Sequence, residues 1–445
     1  MRKLILIAAK SSAGTFINLI SSAIAIKIIA LFSGPAGVGL FSLLRQTQQT
    51  AAIVGSIGGQ AAIVQSLSDK NEDERLAHIS VISRSVLLVT SLVCLVLILA
   101  SSWLGRWIFG DLDNAALLIK WIAVPVFFAS GSLLFSGIIN SYRAIGLLSL
   151  VQIATGISLA VFAWLMRQST SGPGYLVLLS VSSCTGFVCA LYFCWKRQWL
   201  VLLSEGMRQI NRSAVSREFI KVGLATLIVG LIGTGSVLIV RSIIAKFDGY
   251  AVAGIFDAAW TLSMTYVMLI LSSFSAYYLP TLGMLKDNAI ERNKLIEQYF
   301  RFATYASFPL ILFVMLFKPW IVVILYSKEF TPAIHVMRWM LLGDYFKISS
   351  WVMAMPMLAY ADLKPYVISE LLWNVGLSVS AYVAFSLHAD IEMIGVIFMT
   401  LYAGYFLYTY LYCKKKFNIN IPGNLFFIWM AGFCSLLGLS YITNL

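Results

Sequence analysis

Charged residues are scarce in this sequence. Asp, Glu, Lys and Arg make up 11% of the 445 residues, whereas hydrophobic residues make up 60%. Soluble domains usually carry about 25% charged residues. The composition therefore excludes an ordinary water-soluble domain and indicates a membrane protein.

Residues and motifs for metal or covalent chemistry are also scarce. The chain has three histidines, and none of its six cysteines has the C-x-x-C spacing of a zinc or redox site. It contains no P-loop, no H-E-x-x-H and no G-x-S-x-G motif. We therefore predict a protein that is not an enzyme and binds neither a metal nor a cofactor.

Long apolar runs separated by short polar breaks occupy almost the whole chain. A helix needs roughly 20 apolar residues to cross the bilayer, and continuous rather than alternating hydrophobicity favours helices over a β-barrel. Twelve runs are long enough: 11–32, 37–66, 80–102, 115–140, 146–166, 174–195, 219–245, 252–279, 302–325, 333–361, 366–388 and 393–412. A thirteenth run, 425–443, is also long enough to cross. The predicted fold class is all-α, a polytopic helical membrane protein.

The distribution of Lys and Arg predicts the orientation of these spans. With the N-terminus on the cytoplasmic side, 21 of the 32 basic residues lie in cytoplasmic segments, 6 in outside segments and 5 within spans. Cytoplasmic loops carry the basic excess in membrane proteins, so we predict a cytoplasmic N-terminus. The net charge of +13 then reflects topology and contact with membrane lipid, and no nucleic-acid partner is expected.

The sequence contains an internal repeat. The stretch "IIALFSGPAGVGLF" at 28–41 aligns without gaps with "IIAKFDGYAVAGIF" at 243–256, and eight of fourteen positions are identical. Each copy runs from the end of an outward-going span through a glycine turn into the next span. This predicts two parallel, pseudo-symmetric six-helix lobes, 1–205 and 206–416, followed by an extra segment, 417–445.

Eight charged residues lie within the predicted spans, where charge is costly to insert and usually serves a function. The bases are Lys27, Arg45, Arg241, Arg338 and Lys347, and the acids are Asp257, Asp344 and Glu370. The three acids are the candidates for coupling transport to a proton or sodium ion. In "LLGDYFKISSW", Asp344 and Lys347 are one helical turn apart and are predicted to pair, either as a structural bridge or as a pair that substrate or a proton disturbs.

The second span contains "RQTQQT", in which Arg45, Gln48 and Gln49 are predicted to share a face. A guanidinium beside amide groups suits a phosphate attached to a sugar. Lys27 and Arg241 are predicted at a depth in the membrane similar to that of Arg45, so the three bases could converge on the same ligand. Two alternatives remain: Gln48 and Gln49 could belong to a polar seam between helices, and the bases could extend to the outer interface.

Four stretches in order resemble the Wzx-type polysaccharide flippases of the MOP superfamily. They are "LFSGPAGVGLFSLLRQ" after the first span, "SSFSAYYLPTLGML" in the eighth, "LLGDYFKISSW" in the tenth and "LKPYVISELLWN" opening the eleventh. The resemblance extends to about residue 416. It implies a two-lobed, alternating-access transporter in a bacterial inner membrane.

The resemblance also implies a substrate and partners. The expected substrate is an undecaprenyl-pyrophosphate-linked oligosaccharide, moved from the cytoplasmic to the periplasmic face for O-antigen-like surface polysaccharide. A polysaccharide polymerase and a chain-length regulator are the expected partners. The family's basic positions correspond to Lys27, Arg45, Arg241 and Lys347, and its acidic positions to Asp344 and Glu370, whereas Arg338 and Asp257 have no clear match.

From these residues we derive a hypothesis for the binding site, and we compare it with competing functions. Arg45 with Lys27 and Arg241 would receive the pyrophosphate, while Gln48, Gln49 and Asn374 would contact sugar hydroxyls. The main alternative is an ion-coupled exporter of drugs or small solutes from the same superfamily. A membrane glycosyltransferase or polymerase should have a large periplasmic loop, whereas no outside loop here exceeds about a dozen residues.

Overall fold

The computed structural model describes residues 2–168, 171–200, 212–286 and 288–442, and their side chains except at 2–13, 212–214, 269 and 272–277. Within these residues the chain forms fourteen α-helices, one short 3₁₀ turn and no strand. The helices are α1 (Arg2–Gly55), α2 (Gly59–Leu67), α3 (Glu72–Leu99), α4 (Ser101–Phe109), α5 (Ala115–Ser141), α6 (Ile145–Leu165), α7 (Gly172–Lys196), α8 (Arg212–Phe247), α9 (Gly249–Met284), α10 (Ala289–Leu325), α11 (Ala333–Ala359), α12 (Leu363–Ser386), α13 (Glu392–Phe417) and α14 (Gly423–Ile442). The predicted all-α fold class is confirmed.

Every predicted span except the second coincides with one helix. Eleven helices among the described residues are long and apolar enough to cross a membrane, and α1 contains the first predicted span and most of the second. The helix α11, which matches the predicted tenth span, is not among these eleven. It contains Asp344 and Lys347, and these charges lower the hydropathy of its central stretch. The chain is a multi-pass membrane protein.

The two copies of the repeated turn have the backbone that the repeat predicts. Gly34 interrupts α1 with φ 62° and ψ −163°, and Gly249 begins α9 with φ 86°. Positive φ is accessible to glycine because it has no Cβ. The two equivalent glycines therefore allow the chain to reverse direction at the same place in each copy.

The predicted second span is not one continuous helix. It is broken after α1, where Ile57, Gly58 and Gly59 all have positive φ of 54°, 94° and 74°. A Cβ on Gly58 would lie 2.6 Å from the carbonyl oxygen of Gly223 in α8. The expectation of one helix over 37–66 was wrong here, because the paired glycines permit a close approach of α8 that an unbroken helix would prevent.

The chain divides into two compact units, Met1–Lys246 and Phe247–Leu445. The boundary follows α8, so the span that the repeat assigns to the second lobe packs with the first unit. In this first unit α5 is central and contacts α1, α2, α3, α4 and α7. The predicted lobe limits describe the repeat rather than packing, and they remain a prediction.

In the second unit α11 is central. It contacts α9, α10, α12, α13 and α14, and most of its side chains are buried. The thirteenth span, α14, is part of this packing: the Tyr345 hydroxyl donates to the Trp429 carbonyl at 3.0 Å, and Trp429 Nε1 donates to Ser349 Oγ at 2.8 Å. With Trp429 only 1% exposed, the predicted extra segment is an integral helix of the unit.

Candidate functional site

Asp344 is fully buried in the middle of α11. Its Oδ2 accepts hydrogen bonds from Ser263 Oγ at 2.7 Å and from the Tyr266 hydroxyl. These two donors are three residues apart on α9, so the helix presents both on one face. The Asp344 Oδ1 has no hydrogen-bond partner among the described residues, which leaves half of a buried carboxylate available to a further donor or cation.

Lys347 does not form the predicted direct pair with Asp344. Its ammonium lies 2.9 Å from Met264 Sδ and over the rings of Tyr402 and Phe398, at 5.3 and 5.8 Å from their centroids. No ion pair joins Lys347 to an acid among the described residues. A spacing of three residues offsets two side chains by about 60° around a helix axis, and this offset directs Asp344 to the α9 hydroxyls and Lys347 to the rings of α13.

Lys347 and Glu370 line one cavity of about 240 Å³ within the second unit. The walls are largely aromatic and include Trp351, Tyr366, Trp373, Tyr402 and Tyr405. The Glu370 Oε1 accepts a hydrogen bond from the Tyr405 hydroxyl at 2.9 Å. We call this space the unit-2 cavity.

The unit-2 cavity combines several kinds of chemistry. Lys347 supplies a cation and Glu370 a carboxylate, while Trp373 Nε1 is a buried donor with no partner among the described residues. Aromatic faces suit the apolar face of a ring, and buried N–H groups normally find an acceptor. Such a cavity could bind a small polar ring that also carries negative charge.

Asn374 lies outside the lining of this cavity. It is 4% exposed, and its Nδ2 donates to the backbone carbonyl of Glu370 at 2.8 Å. This contact joins successive turns of α12. The other predicted acid of the second unit, Asp257, is also buried, near the start of α9.

The predicted basic residues of the first unit fall into two environments. Arg241 of α8 is 7% exposed, and its Nη1 donates to Gln46 Oε1 at 2.5 Å. Gln46 Nε2 in turn donates to the Thr234 carbonyl at 2.9 Å. Lys27 and Arg45 are only partly buried in α1.

The predicted face shared by Arg45, Gln48 and Gln49 is not formed. Gln48 is buried and donates to the Pro125 carbonyl at 3.2 Å and to Ser183 Oγ at 2.6 Å, whereas Gln49 is exposed. Successive residues are about 100° apart around a helix, so one glutamine turns inward when the other turns outward. Gln48 therefore belongs to the polar seam that was the alternative interpretation.

The sequence interpretation missed four polar partners: Gln46, Ser263, Tyr266 and Tyr405. Gln46 follows Arg45 directly, but its role depends on the rotation of α1 against α8. Ser263 and Tyr266 were visible as two hydroxyls at helical spacing within an apolar run. That pattern could have suggested a buried polar partner on a neighbouring helix.

Comparisons with known proteins agree with this architecture. A family model described as "Polysaccharide biosynthesis protein" matches residues 8–286. The "Lipid III flippase" of Escherichia coli (strain K12) is 24% identical over 367 residues, which are 81% of this chain and 86% of that protein. The protein of the same name from Shigella flexneri matches to the same extent.

Solved structures of other proteins share the fold. The lipid II flippase MurJ in an inward closed conformation has a TM-score of 0.74 at 13% identity, covering 98% of this chain and 93% of that one. An inward-facing multidrug resistance MATE family transporter of the MOP superfamily has a TM-score of 0.71 at 13% identity, covering 90% and 94%. The predicted resemblance to the polysaccharide flippases of the MOP superfamily is confirmed. The family model matches more than half of this chain, and the chain therefore belongs to the polysaccharide biosynthesis protein family.

Proposed function

We propose that the protein is an alternating-access flippase. Its substrate would be an undecaprenyl-pyrophosphate-linked oligosaccharide repeat unit, moved from the cytoplasmic to the periplasmic leaflet of a bacterial inner membrane. Family membership and the named flippase relatives support a lipid-linked substrate. The observation that carries the proposal is the unit-2 cavity, which holds a lysine and a glutamate among aromatic rings inside a membrane-spanning bundle.

The chemistry of the unit-2 cavity matches the head of such a lipid. The ammonium of Lys347 attracts phosphate oxygens, and Glu370 and Trp373 offer an acceptor and a donor for sugar hydroxyls. Tyr402 and Tyr366 supply faces for a sugar ring. Since charge is expensive within the bilayer, a lysine retained there without an ion pair to any acid that the structure describes favours a role in binding an anion.

The basic residues of the first unit complete the proposal. Lys27, Arg45 and Arg241 would attract the pyrophosphate, with Gln46 fixing the guanidinium of Arg241 in place. Gln49 and Asn374 remain proposed contacts for sugar hydroxyls. Gln48 would act by holding α1 to α5 and α7.

The energy source that drives transport is a separate part of the proposal. Asp344 has one carboxylate oxygen without a partner among the described residues, and Glu370 has a single tyrosine donor. We propose these two acids, with Asp257, as the groups through which a proton or sodium ion would couple to transport. A polymerase and a chain-length regulator would act on the exported product.

The test replaces Lys347 in a strain whose surface polysaccharide depends on this protein. We expect Lys347→Ala to lower export at least about tenfold, the effect of losing roughly 1.4 kcal/mol of binding. Lys347→Arg, which keeps the charge, should retain part of the activity. Lys364→Ala removes an exposed lysine at the start of α12 and should export normally. Normal export by Lys347→Ala at an unchanged membrane level would refute the proposed site.

The competing function is ion-coupled export of drugs or small solutes. The likeness to the MATE transporter concerns the fold alone, and the predicted spans carry five bases against three acids. A pump for cationic drugs would favour the opposite balance. Efflux of a cationic dye that depends on Lys347 would support this alternative.

A further inference from the structure

A large cavity in the first unit lies outside the candidate site. It is a groove of about 650 Å³ between α1, α5 and α7, a volume within the range of small-molecule sites. We call it the unit-1 groove. Its walls are almost entirely aliphatic or aromatic and include Leu40, Leu117, Trp121, Val124, Leu176 and Val177.

The unit-1 groove has the length of one membrane leaflet. Along α5 it extends from the helix start at Ala115 to Val124, and along α7 from Gly172 to Val181. At 1.5 Å per residue each distance is about 14 Å, close to half of the ~30 Å hydrocarbon core. Both helices begin on the predicted periplasmic side, so the groove lies in the outer leaflet.

The groove is open to lipid along its side. Leu117, Trp121 and Val177 are 45%, 58% and 45% exposed. In a bilayer these surfaces contact hydrocarbon chains, so an acyl chain is the occupant that the walls favour. Trp121 lies about two turns from the start of α5, a position that suits the interfacial preference of tryptophan.

One of the described residues that line the groove is charged, and its charge is negative. Asp113 lines the outer end together with Asn114 and Ser171, and no lysine or arginine is part of the lining. Asp113 makes no ion pair with any residue that the structure describes. An anionic phosphatidylglycerol or a pyrophosphate would be repelled here, whereas the ammonium of an ethanolamine headgroup would be attracted.

We propose that the unit-1 groove binds one acyl chain of an outer-leaflet phosphatidylethanolamine, whose ammonium group contacts Asp113. The site is separate from the unit-2 cavity and does not depend on which lipid the protein transports. The bound phospholipid would fill the space between α5 and α7. It would thereby make the stability of the first unit sensitive to lipid composition.

The experiment measures lipid retained by the full-length protein. The protein is reconstituted in vesicles of equal parts phosphatidylethanolamine and phosphatidylglycerol with identical chains, extracted and analysed by native mass spectrometry. We expect the wild type to retain phosphatidylethanolamine in preference to phosphatidylglycerol. Asp113→Asn should reduce this preference about threefold, as for an exposed ion pair. Asp111→Asn removes an acid of the same loop that does not line the groove, and it should behave as the wild type.

A second variant tests the walls. Ser180 of α7 lines the groove, so Ser180→Phe should fill it and abolish retention of either phospholipid, whereas Ser180→Ala should retain it. Equal retention of both phospholipids by the wild type would overturn the proposal. So would equal effects of Asp113→Asn and Asp111→Asn, undiminished retention by folded Ser180→Phe, or a polyprenyl lipid found in place of the phospholipid.

Discussion

At the scale of single residues, Asp344 and Lys347 show how one helical turn separates two environments. One carboxylate oxygen, Oδ2 of Asp344, accepts hydrogen bonds from hydroxyls of α9. The ammonium of Lys347 contacts the rings of α13 and the sulfur of Met264. The sequence correctly placed both charges inside the bilayer. It could not show their partners, because those depend on how α9 and α13 are rotated against α11.

This arrangement predicts the outcome of exchanging the two charges. In the double variant Asp344→Lys, Lys347→Asp, the hydroxyls of Ser263 and Tyr266 would lose their acceptor, at about 1–3 kcal/mol for each buried donor left unsatisfied. We therefore expect lower stability and no recovery of transport, whereas Asp344→Asn keeps an acceptor and should be milder. The melting temperatures of the two variants and the wild type, measured by thermal unfolding in detergent, give the differences in stability. Wild-type stability of the exchanged variant would indicate a simple ion pair.

A second residue-scale prediction concerns Asp362, in the turn between α11 and α12. Its Oδ2 lies 2.7 Å from Lys416 Nζ and accepts a hydrogen bond from the Tyr412 hydroxyl at 2.5 Å. Hydrogen bonds from Lys416 and then Tyr412 lower the pKa of Asp362. A carboxyl whose pKa is lower in the folded than in the unfolded protein stabilises the folded state at pH values above its unfolded pKa, which is about 3.9. This stabilisation is lost as the pH falls through the folded-state pKa.

We expect Asp362→Asn to have a slightly lower melting temperature than the wild type at pH 7. The two curves should converge as the pH falls below about 4. Asp390→Asn, a change of another loop acid, serves as the control. A difference that persists unchanged in acid would mean that the carboxylate charge does not stabilise this turn.

At the scale of helices, the glycine turns are the elements that the sequence predicted best. The repeat located both turns and gave the reason for glycine at Gly34 and Gly249, which have positive φ. The break after α1 was missed, because Gly58 responds to the approach of α8 rather than to a local pattern. Local chemistry is visible in a sequence, whereas close approach of distant helices is not.

Gly249 allows a clean test of backbone strain. An added Cβ would meet no atom within 4 Å there, so Gly249→Ala changes only the backbone preference. We expect a loss of about 1–2 kcal/mol. Gly404 lies inside α13 with the same open surroundings, and Gly404→Ala should instead stabilise by about 0.5–1 kcal/mol. Equal melting temperatures for the two variants would contradict this explanation.

At the scale of the whole molecule, spans and fold class followed from composition because apolar length is an additive property of the chain. The grouping of the helices into two packed units did not follow from composition. The repeat assigns α8 to the second lobe, whereas α8 packs with the first unit. Of the charged residues noted within the spans, Lys347 and Glu370 line one cavity, and the predicted site as a whole stays a prediction. The aromatic walls of this cavity come from three helices, and no sequence spacing revealed that they converge.

The orientation of the whole molecule can be measured with reporter fusions. Lys414, Lys415 and Lys416 end α13, and the basic excess predicts this end in the cytoplasm. Because α14 then crosses once more, the C-terminus should be periplasmic. A phosphatase fused after Phe417 should be inactive, and one fused after Leu445 active. The reverse pattern would overturn the predicted orientation.

The charges within α11 have a consequence for how the protein is made. Most side chains of this helix are buried within the second unit, and its most apolar stretch is less hydrophobic than those of the eleven other long helices. It therefore gains less than they do from entering the bilayer alone. One of its main neighbours, α13, begins at Glu392, so it leaves the ribosome after α11 does. We therefore expect α11 to be stably inserted only once α12 and α13 have emerged and pack against it with α9 and α10. Chains truncated before Glu392 should leave this segment outside the lipid and be degraded.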